Sequence, residues 1–241
     1  MKPQYNRTAM LLGADAMDKL RAARVAVFGV GGVGGYVAEA LARSGVGEID
    51  LIDNDVVSES NINRQIIALH STVGRPKTEV MAERISDIDP DIKVRAVNMF
   101  YLPENADEID LAGYDMVIDA IDTVSSKIYL AVKCEELGVP IISSMGTGNK
   151  LDPTAFRISD IYKTSVCPLA RVMRAELKKR GVRHLSVCWS DEAPRPSIAP
   201  EDLPEGEKPT GTRRATPASC AFVPSAAGLT IAAEAVRMIT K

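Results

Sequence analysis

Residues 29–34 read Gly-Val-Gly-Gly-Val-Gly, directly after the apolar run Val25-Ala26-Val27-Phe28 and ahead of a helix-like stretch, Tyr36 to Ser44. Strand, tight glycine turn and helix in that order aim backbone N–H groups and the positive end of a helix dipole at an anion. Gly29, Gly31, Gly32 and Gly34 lack the Cβ atoms that would block a close phosphate approach. The same glycines could merely let a helix pack on a sheet. The strand before them and the helix after them favour a dinucleotide-type fold.

The rest of the chain keeps that rhythm. Strands are expected at 24–28, 48–52, 93–97, 116–118 and 140–143, with helices over 8–21, 33–44, 76–88 and 124–137 between or before them. Short apolar strands alternating with helices predict βαβ crossovers, hence an α/β, Rossmann-like, doubly wound and mainly parallel sheet. Residues 1–150 form that core. Residues 151–241 read as an irregular C-terminal extension of the same domain: strands at 155–159 and 185–189 flank a polar helix, 168–180. A stretch rich in proline follows at 191–217 and is expected to be a long mobile loop. Residues 221–223 and an apolar helix over 225–239 close the chain.

Composition excludes several classes. A net charge of −3 makes the chain as a whole no electrostatic magnet for nucleic acid, so any RNA contact needs a local patch. One exists at 151–183, where Arg157, Lys163, Arg171, Arg174, Lys178, Lys179, Arg180 and Arg183 face only Asp152, Asp160 and Glu176. It is either a phosphate-binding face or a solvated helix face. Arg213 and Arg214 are a second candidate contact. Cys134, Cys167, Cys188 and Cys220 contain no C-x-x-C pair, which argues against a zinc ribbon and a disulfide scaffold and for reduced thiols in a cytoplasmic protein. Cys188 reads as a buried strand cysteine. The sequence shows no run of about 18 apolar residues, so no membrane span or membrane partner is expected. His70 and His184 have no evident partner.

The polar residues after each strand narrow the chemistry. Asp53 ends the second strand about 20 residues past the glycines, where a carboxylate meets a ribose hydroxyl. Asp55 could assist a metal, cap the next segment or face water. A nicotinamide-dependent oxidoreductase would fit these features, but it has no standing reason to arm the next segment with Arg64 and Lys77. Lys77 follows Pro76 in the first turn of a helix, where a cation is disfavoured by about 0.3–1 kcal/mol unless an anion is present. Arg64 offers a planar fork for phosphate, which Asn61 and Gln65 can orient or supplement. Asp122 either caps a helix or holds Mg²⁺ at the carboxyl edge of the sheet. A nucleotide sensor without chemistry would have no use for Lys77.

The ordered motifs G-V-G-G-V-G, D-N-D, S-N-I-N-R-Q, R-P-K and D-A-I-D-T resemble the ThiF/MoeB/ubiquitin-activating superfamily of adenylating enzymes. The resemblance implies ATP as cosubstrate, with Asp53 on the ribose, Asn61, Arg64 and Gln65 on the nucleotide and its phosphates, Lys77 on the α-phosphate and Asp122 on Mg²⁺. The opening Y-N-R-T-A-M-L-L-G is similar too, which implies a homodimer in which Arg7 reaches the neighbouring subunit's ATP. The stretches V-G-R-P-K-T-E-V-M-A-E-R-I and F-V-P-S-A-A-G-L look closest to the tRNA threonylcarbamoyladenosine dehydratase branch. That branch implies a tRNA substrate, with a sulfur-relay protein as a further partner to consider. The alternative is an adenylyltransferase for the C-terminal glycine of a ubiquitin-like sulfur carrier. The missing zinc cysteines count against that alternative.

Overall fold

Side chains of Arg24–Phe28 (β1) alternate between two cores: Val25 and Val27 enter one, Ala26 and Phe28 the other. A strand buried on both faces belongs in the middle of a sheet covered by helices on both sides. The computed structural model, which describes residues 2–197 and 217–241, shows that arrangement. Its strands are β1, Glu48–Asp53 (β2), Lys93–Asn98 (β3), Met116–Asp119 (β4), Ile141–Ser144 (β5), Phe156–Asp160 (β6) and Ser186–Ser190 (β7). They form one sheet in the order β3-β2-β1-β4-β5-β7-β6. Every pairing is parallel except β6 with β7. Phe28 stands beside both Ile52 and Asp119, so the carboxyl ends of β1, β2 and β4 are level.

Helices Ala14–Ala22 (α2), Gly34–Ser44 (α3), Lys77–Ile88 (α4) and Phe222–Thr240 (α7) cover one face. Val124–Leu137 (α5) and Pro168–Lys179 (α6) cover the other. The sheet runs through both expected portions of the chain, since β7 pairs with β5.

Three expectations change. The helix foreseen over 8–21 is two, Asn6–Leu12 (α1) and α2, broken at Gly13, whose φ of 87° lies in the left-handed region that glycine enters freely. Residues 222–240 form one continuous helix, and Pro224 fits because the first-turn N–H it lacks has no intrahelical acceptor. That helix is also long and apolar enough to cross a membrane by length and composition, contrary to the sequence reading. In this fold it is a core helix: Val223, Ala227, Ile231 and Ala235 are buried, and it packs on α2, α3 and the sheet. Of the proline-rich stretch 191–217, residues 198–216, with Arg213 and Arg214, lie outside the described residues.

The N-terminal arm is held at one buried carboxylate. The Tyr5 hydroxyl donates to Asp89 at 2.7 Å, the Asp91 N–H donates at 3.0 Å, and the Lys2 ammonium pairs with it. Burial pushes the Asp89 carboxyl up, but the Lys2, Tyr5 and backbone donors outweigh it and hold it below the ordinary range. A depressed carboxyl pKa stabilises the fold above the unfolded value, and that contribution is lost as pH falls through the folded value. Acidification below about pH 4 should therefore loosen the arm first. Amide protection over residues 2–12, measured against the intrinsic exchange rate at the same pH, should fall there, and Asp89→Asn should show the loosened arm already at neutral pH.

Candidate functional site

Each motif follows the carboxyl end of a strand, so the fold brings them to one edge. Gly29–Val33 follow β1, Asp53–Asp55 close and follow β2, Met99–Tyr101 follow β3, and Ala120–Thr123 follow β4. All of these except Val30 line a cavity of about 530 Å³ beside the point between β1 and β4 where the strand order reverses. Open α/β sheets hold ligands at that switch point.

The glycines divide by task. Gly29 has a φ of 86°, and a Cβ there would lie 2.6 Å from the Ala120 carbonyl oxygen. On Gly34 a Cβ would lie 1.8 Å from the Gly29 carbonyl oxygen. Gly34 does not line the cavity; its bareness lets α3 sit on the turn, a packing role in place of the expected phosphate approach. Gly31 and Gly32 do line it. The nearest atom to a Gly31 Cβ is the Gln65 amide nitrogen at 3.8 Å, so its backbone is open to a ligand.

Asp53 binds the turn to the next loop. One carboxylate oxygen accepts the Val30 N–H at 2.6 Å, the other the Asp55 N–H at 2.8 Å. Lys77 sits in the first turn of α4 with its side chain only 6% exposed, and donates to the Asp55 carboxylate at 2.6 Å. Asp55 is thus the resident partner of Lys77. Arg64 is half-buried and donates to the Ser60 carbonyl at 2.9 Å and the Asn63 side-chain oxygen at 3.0 Å. Buried Asn61 accepts the Ser58 N–H at 3.1 Å, and the buried Gln65 side-chain oxygen has no partner among the described residues.

Asp122 is exposed at the cavity rim. Thr123 occupies the N-cap of α5, so capping is not what holds Asp122 there. Arg64, Lys77 and Asp122 all line the one cavity. Arg7, on α1, is exposed and outside its lining.

Sequence reasoning missed the floor and one wall. Beneath the 120–123 loop, Asp119 and Lys127 form an ion pair at 2.9 Å with both side chains fully buried. Asp119 also accepts from the Ser143 hydroxyl at 2.5 Å and the Ile121 N–H at 3.2 Å, which fixes the loop from below. The available signal was a second carboxylate three residues before Asp122. Thr147, Ser219 and Pro224 complete the wall, drawn from the segment after β5 and from the entry to α7. Cys188 lies buried on β7, and burial pushes its thiol up to about 12, far from a thiolate at neutral pH. His184 does have a partner, Asp160 at 3.3 Å.

A glycine turn at the switch point, with two cations and the exposed Asp122 carboxylate around it, defines a doubly wound α/β nucleotide site. The chain belongs to the ThiF family, whose model matches residues 5–241. It is 45% identical over 246 residues to the tRNA threonylcarbamoyladenosine dehydratase of Bacillus subtilis, covering 100% of this chain and 96% of that one. The solved tRNA N6-threonylcarbamoyladenosine dehydratase of Escherichia coli in complex with ATP has a TM-score of 0.85 and 35% identity, covering 98% of this chain and 93% of that one. Likeness to the molybdopterin-synthase adenylyltransferase of Salmonella typhimurium is 39% identity over 58% of this chain and 57% of that protein.

Gly34→Ala should destabilise the protein by about 3 kcal/mol, the upper end of overpacking costs. Gly31→Ala should leave the denaturation midpoint unchanged and weaken nucleotide binding instead. Denaturant titration and calorimetric ATP binding on both variants separate the two roles.

Proposed function

We propose that this protein uses ATP to activate the carboxylate of the threonylcarbamoyl group on a tRNA adenosine and promotes its dehydrative cyclisation, releasing pyrophosphate and AMP. The observation that carries this reading is the match to the Bacillus subtilis dehydratase along the whole chain. Likeness to the molybdopterin-synthase adenylyltransferase of Salmonella typhimurium covers 58% of the chain, short of the whole-chain match to the dehydratase. The cytoplasm, where tRNA is modified, is the expected setting.

The residues suit the chemistry. A carboxylate oxygen of the substrate attacks the α-phosphorus, and pyrophosphate leaves. A nucleophile within the same substrate then attacks the acyl carbon, and AMP leaves with that carboxylate oxygen. Lys77 and Arg64 offset the charge that builds on the phosphates. Asp53 retains free lone pairs on both oxygens for a ribose hydroxyl. The ring-closing nucleophile belongs to the substrate, so proximity replaces an enzyme thiol.

Mg²⁺ fits this site as a guest of the phosphates. It is ordinarily held by one or two carboxylates together with substrate phosphates and water. No cluster of three or more His, Cys, Asp or Glu ligands exists among the described residues, and Asp122 supplies one exposed carboxylate beside the phosphate-facing cations. Asp122 would hold the ion, which would neutralise phosphate charge.

Two partners follow from surfaces outside the cavity. Exposed Lys163, Arg171, Lys178 and Arg183 supply phosphate contacts for tRNA, whereas Lys179 and Arg180 are engaged by Glu176. The α1 helix leaves Met10 and Leu11 87% and 83% exposed, with Arg7 beside them. A homodimer would cover this face and carry Arg7 to the neighbouring cavity.

Incubation with ATP, Mg²⁺ and tRNA carrying the threonylcarbamoyl group should give a nucleoside lighter by one water, read by mass spectrometry. With ¹⁸O in the carboxylate, one label should appear in AMP. An unchanged nucleoside, with pyrophosphate release driven by a sulfur-carrier protein, would refute the proposal.

Lys77→Ala should lower kcat about 100-fold or more with little change in KM for ATP, as for loss of a donor used in the transition state. Asp53→Ala should chiefly raise KM for ATP, by about tenfold. Steady-state kinetics on both variants checks the split, and a Lys77→Ala enzyme with normal turnover would contradict it.

A further inference from the structure

Asn63 stands between Arg64 and the chain's C-terminal wall. Its side-chain oxygen accepts from Arg64 Nη1 at 3.0 Å, and its side-chain nitrogen donates to the Ser219 carbonyl at 3.1 Å. An amide side chain carries its acceptor and its donor on separate atoms, so Asn63 makes both bonds at once. Ser219 in turn belongs to a short strap, residues 217–219, held from the opposite side by Asn149. The Asn149 N–H donates to the Ala218 carbonyl at 2.7 Å, and the Ala218 N–H donates back to the Asn149 side-chain oxygen at 2.8 Å. Gly148 permits the approach, since a Cβ there would come within 2.5 Å of the Pro217 ring. Asn149 holds a φ of 60°, which few residues other than glycine and asparagine accept. Its own carbonyl accepts the Arg195 N–H at 2.8 Å.

We infer that Asn63 is a positioning residue: it fixes the Arg64 guanidinium to the strap at 217–219, and Asn149 anchors that strap, so the setting of the phosphate cation and of the C-terminal wall are one setting. Asn63 is exposed, and exposed hydrogen bonds add little to folding stability. The contribution therefore lies in geometry. A guanidinium must meet phosphate oxygens in a narrow range of orientations, and small misplacements in an active site cost rate steeply. This inference rests on the reading that Arg64 faces the phosphates of ATP.

The test uses Asn63→Asp, Asn149→Gly, their double variant and Arg64→Ala, in the full chain with ATP, Mg²⁺ and threonylcarbamoylated tRNA. Asn63→Asp keeps an acceptor for Arg64 and loses the donor to Ser219. Asn149→Gly keeps the left-handed backbone and loses the amide. Each single variant should lower kcat about tenfold, with KM for ATP and Tm near those of the wild type, a split that a purely structural role would not produce. The double variant should be no worse than either single, because both cut one connection. Normal turnover in Asn63→Asp would overturn the inference, as would a double variant losing about 100-fold, the product expected of independent sites. Normal turnover in Arg64→Ala would instead sink the phosphate-site reading itself.

Discussion

One carboxylate ties the glycine turn after β1 to the loop after β2, adding to the strand pairing and backbone bonds that already join the two segments. Asp53 accepts from Val30 in the glycine turn and from Asp55 in the loop after β2. The first bond keeps the turn open toward the cavity, and the second places Asp55, which in turn engages Lys77 at 2.6 Å. Gly29 at positive φ and Gly34 under its carbonyl complete the same local constraint. Remove the carboxylate and the turn, the loop and the lysine lose a shared reference point.

The two cations that line the cavity are held by short contacts within the chain. Lys77 rests on Asp55, and Arg64 rests on a carbonyl and an amide oxygen, so both cations have partners within the chain. Asp119 and Lys127 are different: both are fully buried and serve the loop above them. Breaking such a pair from one side leaves an uncompensated charge, at a cost of about 3–5 kcal/mol.

Most of this architecture was legible in the chain. Val25–Phe28 and Met116–Ile118 are continuous apolar runs and Ile49–Ile52 is broken only by Asp50, because both faces of those strands are covered, and the glycine turn, D-N-D and D-A-I-D-T follow these strands. The reversed direction of β6 was not legible, because strand direction follows from the connection and leaves no mark on Phe156–Asp160. Gly13 breaks a helix whose apolar period continues on both sides, so periodicity alone could not show the break. Lys127 reads as a helix-surface lysine, and only the packing of α5 against the end of β4 reveals that it is enclosed. Ser219 and Pro224 reach the cavity from the far end of the sequence, a closeness that no local pattern encodes.

The outer margins of the sheet carry a consequence of their own. At one margin β3 presents exposed Lys93 and Arg95, and at the other β6 runs against its neighbour with Arg157 exposed. Charged borders of this kind repel a second sheet laid edge to edge. They guard the protein against the strand-by-strand stacking that leads to fibres.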